Sequence, residues 1–333
     1  MLISEKINAF SKLGTWLKEN DLEEWAQAAQ RKNGWFTKEN VLTSLQKLAD
    51  TYLSKPLLEN WVALYPMPGT QETRKVGLVL AGNIPAVGFH DILCVLMAGH
   101  QAYIKPSSQD EILISGLLQK LVEIEPALEE VIVFTERMND VDAVIATGSD
   151  NSARHFEYYF AKKPHLIRKN RTSVAVLTGQ ETPEELLALG KDVLTYYGLG
   201  CRNVSKLYVP TGYDFTVFFE TIAPLDTITC NHKFLHNYDY NKSIYLVNRT
   251  PFLDNGFLMI TESEALVSPI SVLFFEYYNS PGQLTERLQQ QANKLQCIVG
   301  NAEPAHIGFG QTQSPQLWDY ADQVDTMQFL LSI

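Results

Sequence analysis

Short apolar runs recur along most of this chain, and most of them close on a glycine- or proline-bearing turn. Val76-Gly-Leu-Val-Leu80 is the first, followed by the turn Ala81-Gly82-Asn83-Ile84-Pro85 and a buried helix expected over 86–99. A strand over 102–105, a helix over 111–124, strands over 131–134 and 144–146, a helix over 152–160 and a strand over 174–177 continue the pattern. Strands of this kind do not alternate apolar with polar residues, so both of their faces must be covered. Helical connections between them make the strands parallel, because a parallel return needs a crossover. The expectation is an α/β fold with a doubly wound parallel sheet.

The same grammar runs to the end of the chain. Thr182-Pro183-Glu184-Glu185 opens a helix over 181–195, with proline in the first turn. Strands over 207–209, 244–247, 258–260, 272–275 and 297–299 then predict a second α/β unit. Residues 1–66 differ. Ile7, Phe10, Leu13, Trp16 and Leu17, then Val41, Leu42, Leu45, Leu48 and Leu53, recur at helical spacing, and Asn33-Gly34 interrupts them. Thr37 and Asn40 mark a helix start.

Length and charge narrow the function classes. At about 150 residues per domain, 333 residues make roughly two domains. The 27 basic against 38 acidic side chains give a net charge of -11, which argues against a nucleic-acid partner. The best apolar run, 92–99, is far below the roughly 20 residues that span a bilayer, so no membrane span is expected. Glu5 and Lys6 arrive too early for a secretory leader. Cys94, Cys201, Cys230 and Cys297 lack paired spacing, as reduced thiols of a cytoplasmic protein do.

Ligands of doubly wound sheets sit at the carboxyl ends of the strands. Three turns there are candidates: Gly82-Asn83-Ile84-Pro85, Lys105-Pro106-Ser107-Ser108 and Thr147-Gly148-Ser149. Each puts small or polar residues where helix-start N–H groups can hold an anion, and each also reads as an ordinary turn. No Gly-x-Gly-x-x-Gly or phosphate-binding Walker loop occurs. Cys201, on the glycine-rich turn Gly198-Leu199-Gly200 and beside Arg202, is a candidate thiolate; taken alone it reads first as a structural thiol. Cys94 and Cys297 lie in apolar runs and read as core. Cys230, His232 and His236 lack a fourth ligand, and no metal is assigned to them. His90-Asp91 is either a proton relay or a packing pair. Lys162, Lys163, Arg168, Lys169 and Arg171 form either a solvated face or a phosphate-binding one.

In this order and spacing the candidates resemble the aldehyde dehydrogenase superfamily. Asn83-Ile84-Pro85 is similar to its Asn-aromatic-Pro turn, Lys105-Pro106-Ser107 to its Lys-Pro-Ser cofactor loop, and Thr147-Gly148-Ser149 to its pyrophosphate-side helix start. Cys201 falls where its nucleophile falls, and Ser268-Pro269-Ile270-Ser271-Val272 resembles its Gly-Pro-hydrophobic-Ser-Val segment. The short length, His90-Asp91, Phe309-Gly-Gln-Thr-Gln313 and Leu317-Trp-Asp-Tyr-Ala321 are similar to the acyl-CoA reductase (LuxC) branch. The resemblance runs from about residue 70 to the end.

This resemblance implies an aldehyde dehydrogenase-like fold: a helical segment over 1–66, a Rossmann-type dinucleotide-binding domain over 67–180, an α/β catalytic domain over 181–310 and a tail over 311–333. It implies NADPH-dependent reduction of a fatty acyl-CoA to the aldehyde through an acyl-enzyme on Cys201, with Asn83 at the oxyanion. Lys105, Ser107, Ser108, Thr147, Gly148 and Ser149 would hold the cofactor. The implied partners are an acyl-CoA or acyl-carrier substrate, an acyl-protein synthetase and further copies of the chain. Where hydrolytic relatives carry Glu-Leu-Gly-Gly, this chain reads Leu166-Ile-Arg-Lys-Asn-Arg171, without the carboxylate that activates water. Ser108 replaces a frequent glutamate that bonds the adenosine ribose, which favours NADPH while leaving NADH open. The family's second glutamate aligns with Ala265, one place from Glu264. Two other classes remain: a cysteine acyltransferase or thioesterase without nicotinamide, and a non-catalytic scaffold subunit of a lipid-modifying complex.

Overall fold

The structure, a computed structural model, describes residues 1–66 and 72–333; residues 67–71, where the expected dinucleotide-binding domain begins, lie outside the described residues. The chain forms two compact units. One comprises Met1–Asn170 with Pro315–Ile333, the other Arg171–Ser314.

The first unit opens with α1 (Ile3–Glu19), α2 (Glu23–Lys32), α3 (Lys38–Lys47) and α4 (Lys55–Ala63). The apolar stripe of α1 buries Ile7, Phe10, Leu13 and Leu17, each contributing about 1.5–3 kcal/mol relative to exposure. Thr37 caps α3 by accepting the Asn40 N–H. Next come β1 (Lys75–Val79), α5 (Phe89–Ala98), β2 (Gln101–Lys105), α6 (Glu111–Ile124), β3 (Ile132–Phe134), β4 (Ala143–Thr147), α7 (Asp150–Phe160) and β5 (His165–Arg168). Their order is β3-β2-β1-β4-β5, every pair parallel. The winding direction reverses between β1 and β4, so the carboxyl ends of these two strands flank the topological switch point. All ten residues of α5 are buried, packed with α1–α4 and α6 in one large core. On the opposite side Val144 and Ala146 pack against Phe156 and Phe160 of α7. Both faces are covered, as strands of continuous apolar residues require.

Helix α5 begins at Phe89, three residues later than the apolar pattern suggests. Ala86, after Pro85, takes a left-handed conformation with φ 56°, which no helix can incorporate. Strand β5 had no signal at all. Its sequence, His-Leu-Ile-Arg, pairs with β4 at the edge of the sheet.

The second unit contains β6 (Thr172–Val176), α8 (Pro183–Leu194), β7 (Val204–Pro210), α9 (Thr216–Ile222), α10 (His232–Asn248), β8 (Leu253–Asp254), β9 (Met259–Glu262), β10 (Val272–Tyr278), α11 (Pro281–Gln290) and β11 (Leu295–Val299). Six strands lie in the order β11-β6-β7-β10-β9-β8, parallel except for the β8–β9 pair. The expected strand over 244–247 is instead the last part of α10. Asn231 caps that helix by accepting the Lys233 and Phe234 N–H groups, and Arg249 ends it in a left-handed conformation. Phe234, Tyr238 and Asn241 form its buried stripe, whereas Leu246 and Val247 are exposed. A short apolar run does not by itself tell helix from strand; here the cap and the stripe decide.

Candidate active site

Three of the expected loops end neighbouring parallel strands β1, β2 and β4, so all stand at one edge of the five-stranded sheet. Asn83 is exposed on the bend after β1. Gly82 lies so close to the β2 turn that a Cβ there would stand 2.4 Å from the Ser107 side chain. Any larger residue would push the two turns apart, so glycine at 82 brings them into contact. Ser107 is half-buried and its hydroxyl accepts the Gln109 N–H, while Ser108 is exposed. Lys105 reaches the carbonyl and carboxylate of Glu136, the latter at 3.4 Å. That pair is exposed, worth at most about 1 kcal/mol, and easily exchanged for another anion. Ser149 caps α7 by accepting the Ser152 N–H at 3.3 Å, and the Gly148 N–H bonds the Arg168 carbonyl.

Beneath these turns lies a group that pattern reading did not find. Asp110, at the start of α6, is 1% exposed, and a Cβ on Gly82 would meet its side chain at 3.2 Å. Among the described residues neither carboxylate oxygen has a partner at hydrogen-bonding geometry. Burial pushes this carboxyl well above the usual carboxylate range, and the Ala86 backbone offsets only part of that.

Two alternatives from the sequence are decided by contacts. Asp91 gives both its oxygens to Arg168 Nη1, at 2.7 and 2.6 Å, in a buried pair, and Arg168 also donates to Thr326 Oγ1. Burial works against the Arg168 charge, and Asp91 more than restores it. His90 stacks on Tyr320 at 5.5 Å and bonds the Leu317 carbonyl at 3.0 Å. These are packing roles, and a carboxylate so held is not a proton relay. Of the rest of the basic cluster, Lys163 bonds the Asn139 and Val141 carbonyls, Arg171 the Ala292 and Leu295 carbonyls, Lys169 makes an exposed pair with Glu157, and Lys162 is exposed. Arg168 is therefore no part of a phosphate-binding face.

In the second unit Cys201 is half-buried, between Cys297 and Cys94, which are buried, and Cys230, which is exposed. It occupies the turn Gly200-Cys201-Arg202-Asn203, closed by the Asn203 N–H on the Gly200 carbonyl at 3.1 Å. The turn leads directly into β7, at the amino end of that strand. Ser173 of β6 donates its hydroxyl to the Cys201 carbonyl at 3.0 Å and accepts the Cys297 N–H. The guanidinium of Arg202 reaches Cys297 Sγ at 3.5 Å. Ahead of the turn, Tyr196, Tyr197 and Gly198 take positive φ of 53°, 61° and 74°. Left-handed tyrosines cost about 1–2 kcal/mol each and persist only where surroundings enforce them. Helix α8 supplies a second anchor: Asp192, buried, accepts the Gly310 and Thr312 N–H groups and the Thr312 hydroxyl. It thus fixes the Phe309-Gly-Gln-Thr-Gln313 segment.

Lys206 of β7 is fully buried and pairs with Glu276 at 2.6 Å; Glu276 also pairs with Arg287. Burial, and then the positive Arg287, pull the ammonium down to about 8, with Glu264 acting the other way. Glu264 itself is exposed, and Ser271 at the head of β10 has φ 64°. His232 and His236 stand 6.5 Å apart, ring to ring, and among the described residues no three metal-ligating side chains converge. Also among the described residues, no helix is long and apolar enough to cross a membrane.

No curated protein matches the chain. Among solved structures, aldehyde dehydrogenase 21 from Physcomitrella patens, in complex with succinate, aligns over 100% of this chain and 84% of its own, with TM-score 0.71 and 13% identity. The NAD+ complex of an aldehyde dehydrogenase from Bacillus cereus aligns over 90% and 72%, with TM-score 0.66 and 14% identity. An NADP dependent enzyme from E. coli aligns over 91% and 74%, with TM-score 0.68 and 14% identity. At such identities the likeness is one of fold, and it establishes the aldehyde dehydrogenase-like architecture. The family model described as Acyl-CoA reductase (LuxC) matches residues 21–219, more than half the chain. With its sequence and its fold in agreement, the chain belongs to the LuxC family of acyl-CoA reductases.

Proposed function

We propose that this protein reduces a fatty acyl-CoA to the aldehyde with NADPH, through an acyl-enzyme on Cys201. The observation that carries the reading is the turn 200–203: the cysteine of the family's nucleophile position is half-buried and held by buried polar side chains, while two of the other cysteines are core. Thiolate attack on the acyl carbonyl carbon forms the Cys201 thioester as the bond to coenzyme A breaks, and the departing thiolate takes up a proton. A bound nicotinamide supplies the hydride that the acyl group needs to become an aldehyde. Asn83 is assigned the oxyanion, a role worth about 3 kcal/mol per donor in comparable sites. The first unit is assigned the cofactor, the second the nucleophile. Residues at the switch-point edge suit a dinucleotide: Gly82 lets two turns close together, Lys105 offers an exchangeable cation, and Thr147, Gly148 and Ser149 lead into α7.

Ser108, exposed and uncharged at the end of the β2 turn, is the reason for choosing NADPH over NADH. The stretch without a hydrolytic glutamate, 166–171, begins in β5 and runs past its end, and its Arg168 side chain is engaged with Asp91. That supports transfer to and from a thiol rather than to water. The homo-oligomer, the acyl-protein synthetase partner and the cytoplasmic setting belong to the same reading. Incubation with acyl-labelled coenzyme A thioester in the absence of NADPH is expected to leave label on Cys201. Label on Cys94, Cys230 or Cys297, or none anywhere, overturns the assignment.

A further inference from the structure

We propose that Asn203 is a positioning residue for Cys201, fixing the reactive turn from behind. This rests on the reading of Cys201 as nucleophile. Asn203 is 2% exposed, and every polar atom of its side chain is spent. Its Nδ2 donates to the carbonyls of Asp192, Val193 and Thr195, at 3.1, 3.3 and 2.7 Å, the last turn and cap of α8. Its Oδ1 accepts the Gly200 N–H at 2.9 Å. The Asn203 carbonyl accepts the Ser173 N–H at 3.2 Å, tying the same residue to β6. The side-chain amide therefore joins the end of a helix to the residue before the nucleophile, and the backbone carbonyl of the same residue joins the neighbouring strand.

Between the two groups that Asn203 bridges run Tyr196, Tyr197 and Gly198, all left-handed. Such a segment relaxes if its ends are released. Asparagine alone serves both ends, because it offers a donor and an acceptor on one short planar group. Besides its own Asn203 N–H to Gly200 carbonyl bond and the Ser173 hydroxyl on the Cys201 carbonyl, the turn that carries Cys201 is tied to the end of α8 by this carboxamide.

Asn203→Asp gives a test with a signature of its own. At neutral pH a carboxylate would face three carbonyl oxygens, and the turn should loosen. On acidification the carboxyl regains a donor and the shape of the amide. The rate of acyl transfer from labelled acyl-CoA to Cys201, without NADPH, is measured against wild type between pH 5.5 and 8. At pH 8 the variant is expected to be slower by a hundred-fold or more, and the ratio to recover at least ten-fold towards pH 5.5. A ratio that is flat with pH, in a variant that circular dichroism shows folded, overturns the proposal. If the aspartate variant does not fold, Asn203→Ala is compared with Leu288→Ala, a buried residue of α11. A ten-fold slower acylation in the former at equal thermal stability supports positioning; equal rates overturn it, as does collapse of both Asn203 variants. Wild type that takes no label on Cys201 overturns the nucleophile reading itself, whereas labelled wild type with a normal variant overturns only the role of Asn203.

Discussion

In the five-stranded sheet the candidate residues follow their strands, whereas in the six-stranded sheet Cys201 precedes its own. Asn83, Lys105 to Ser108 and Thr147 to Ser149 lie at the carboxyl ends of β1, β2 and β4, and all are exposed or half-buried. Their placement follows from strand direction, so their geometry is as good as the sheet beneath them. Cys201 enters β7 from a turn that no sheet edge defines, and buried side chains of Asn203 and Ser173 hold it. One edge thus presents its candidate groups on regular scaffolding, while the Cys201 turn depends on side-chain hydrogen bonds. Loss of an exposed turn residue should therefore alter kinetics without altering stability.

The sharpest way to break this contrast is Cys201→Ala. Acyl-CoA reduction should vanish while NADPH affinity, read by fluorescence titration, stays near wild type, because the thiol is the sole nucleophile proposed. Residual reduction at more than a thousandth of the wild-type rate would place the chemistry elsewhere. Asn83→Ala comes next. Turnover should fall about a hundred-fold with a smaller change in ground-state binding, since an oxyanion donor acts on charge that develops only in the transition state. A loss confined to KM would mean that Asn83 shapes the turn and nothing more.

Ser108→Glu sharpens the cofactor side. A carboxylate there would repel a 2'-phosphate and accept from free ribose hydroxyls, shifting the ratio of kcat/KM several-fold from NADPH toward NADH. Charges about 4 Å apart near a surface interact by about 4 kcal/mol before salt screening, so a fraction of that suffices. An unchanged ratio would remove Ser108 from the adenosine ribose. The smallest effect belongs to Asp110→Asn. Burial raises the Asp110 carboxyl, so the folded state keeps its proton to higher pH than the unfolded chain does. Stability is then lost as pH rises through that interval. Asparagine cannot ionise, and the variant should melt a few degrees higher than wild type at pH 7.5, with the difference closing near pH 4. Calorimetry at both values reads it, and a variant less stable at pH 7.5 would show that the carboxylate is needed.

Much of this was legible because apolar runs and strand-to-helix turns are local signals. Val76 to Leu80 announced β1, and the three turns announced the edge they share. What pattern reading missed is long-range. Asn203 and Lys206 are unremarkable as letters and become informative only when α8, β6 and β10 close around them. Arg168 read as part of a basic run, yet its partner Asp91 lies 77 residues earlier in the chain. Ile244 to Val247 have the local propensity of a strand, but the Asn231 cap thirteen residues upstream starts a helix that runs through them. The Asp110 carboxyl gave no signal, since one aspartate before a helix is ordinary capping sequence.

One feature of the chain's route bears on how it is made. The first unit is interrupted: the backbone leaves it after Asn170, builds the whole second unit, and returns at Pro315. The returning residues are its keystone. The Leu317 carbonyl meets His90, Tyr320 accepts from Trp61 Nε1 at 2.7 Å, Thr326 meets Arg168, and the Leu330 carbonyl meets His100. During synthesis, then, Trp61, His90, His100 and the Asp91–Arg168 pair wait for partners that emerge only after 144 further residues have left the ribosome. The continuous second unit can close first, and the first unit gains these buried contacts only once residues 315–333 have emerged.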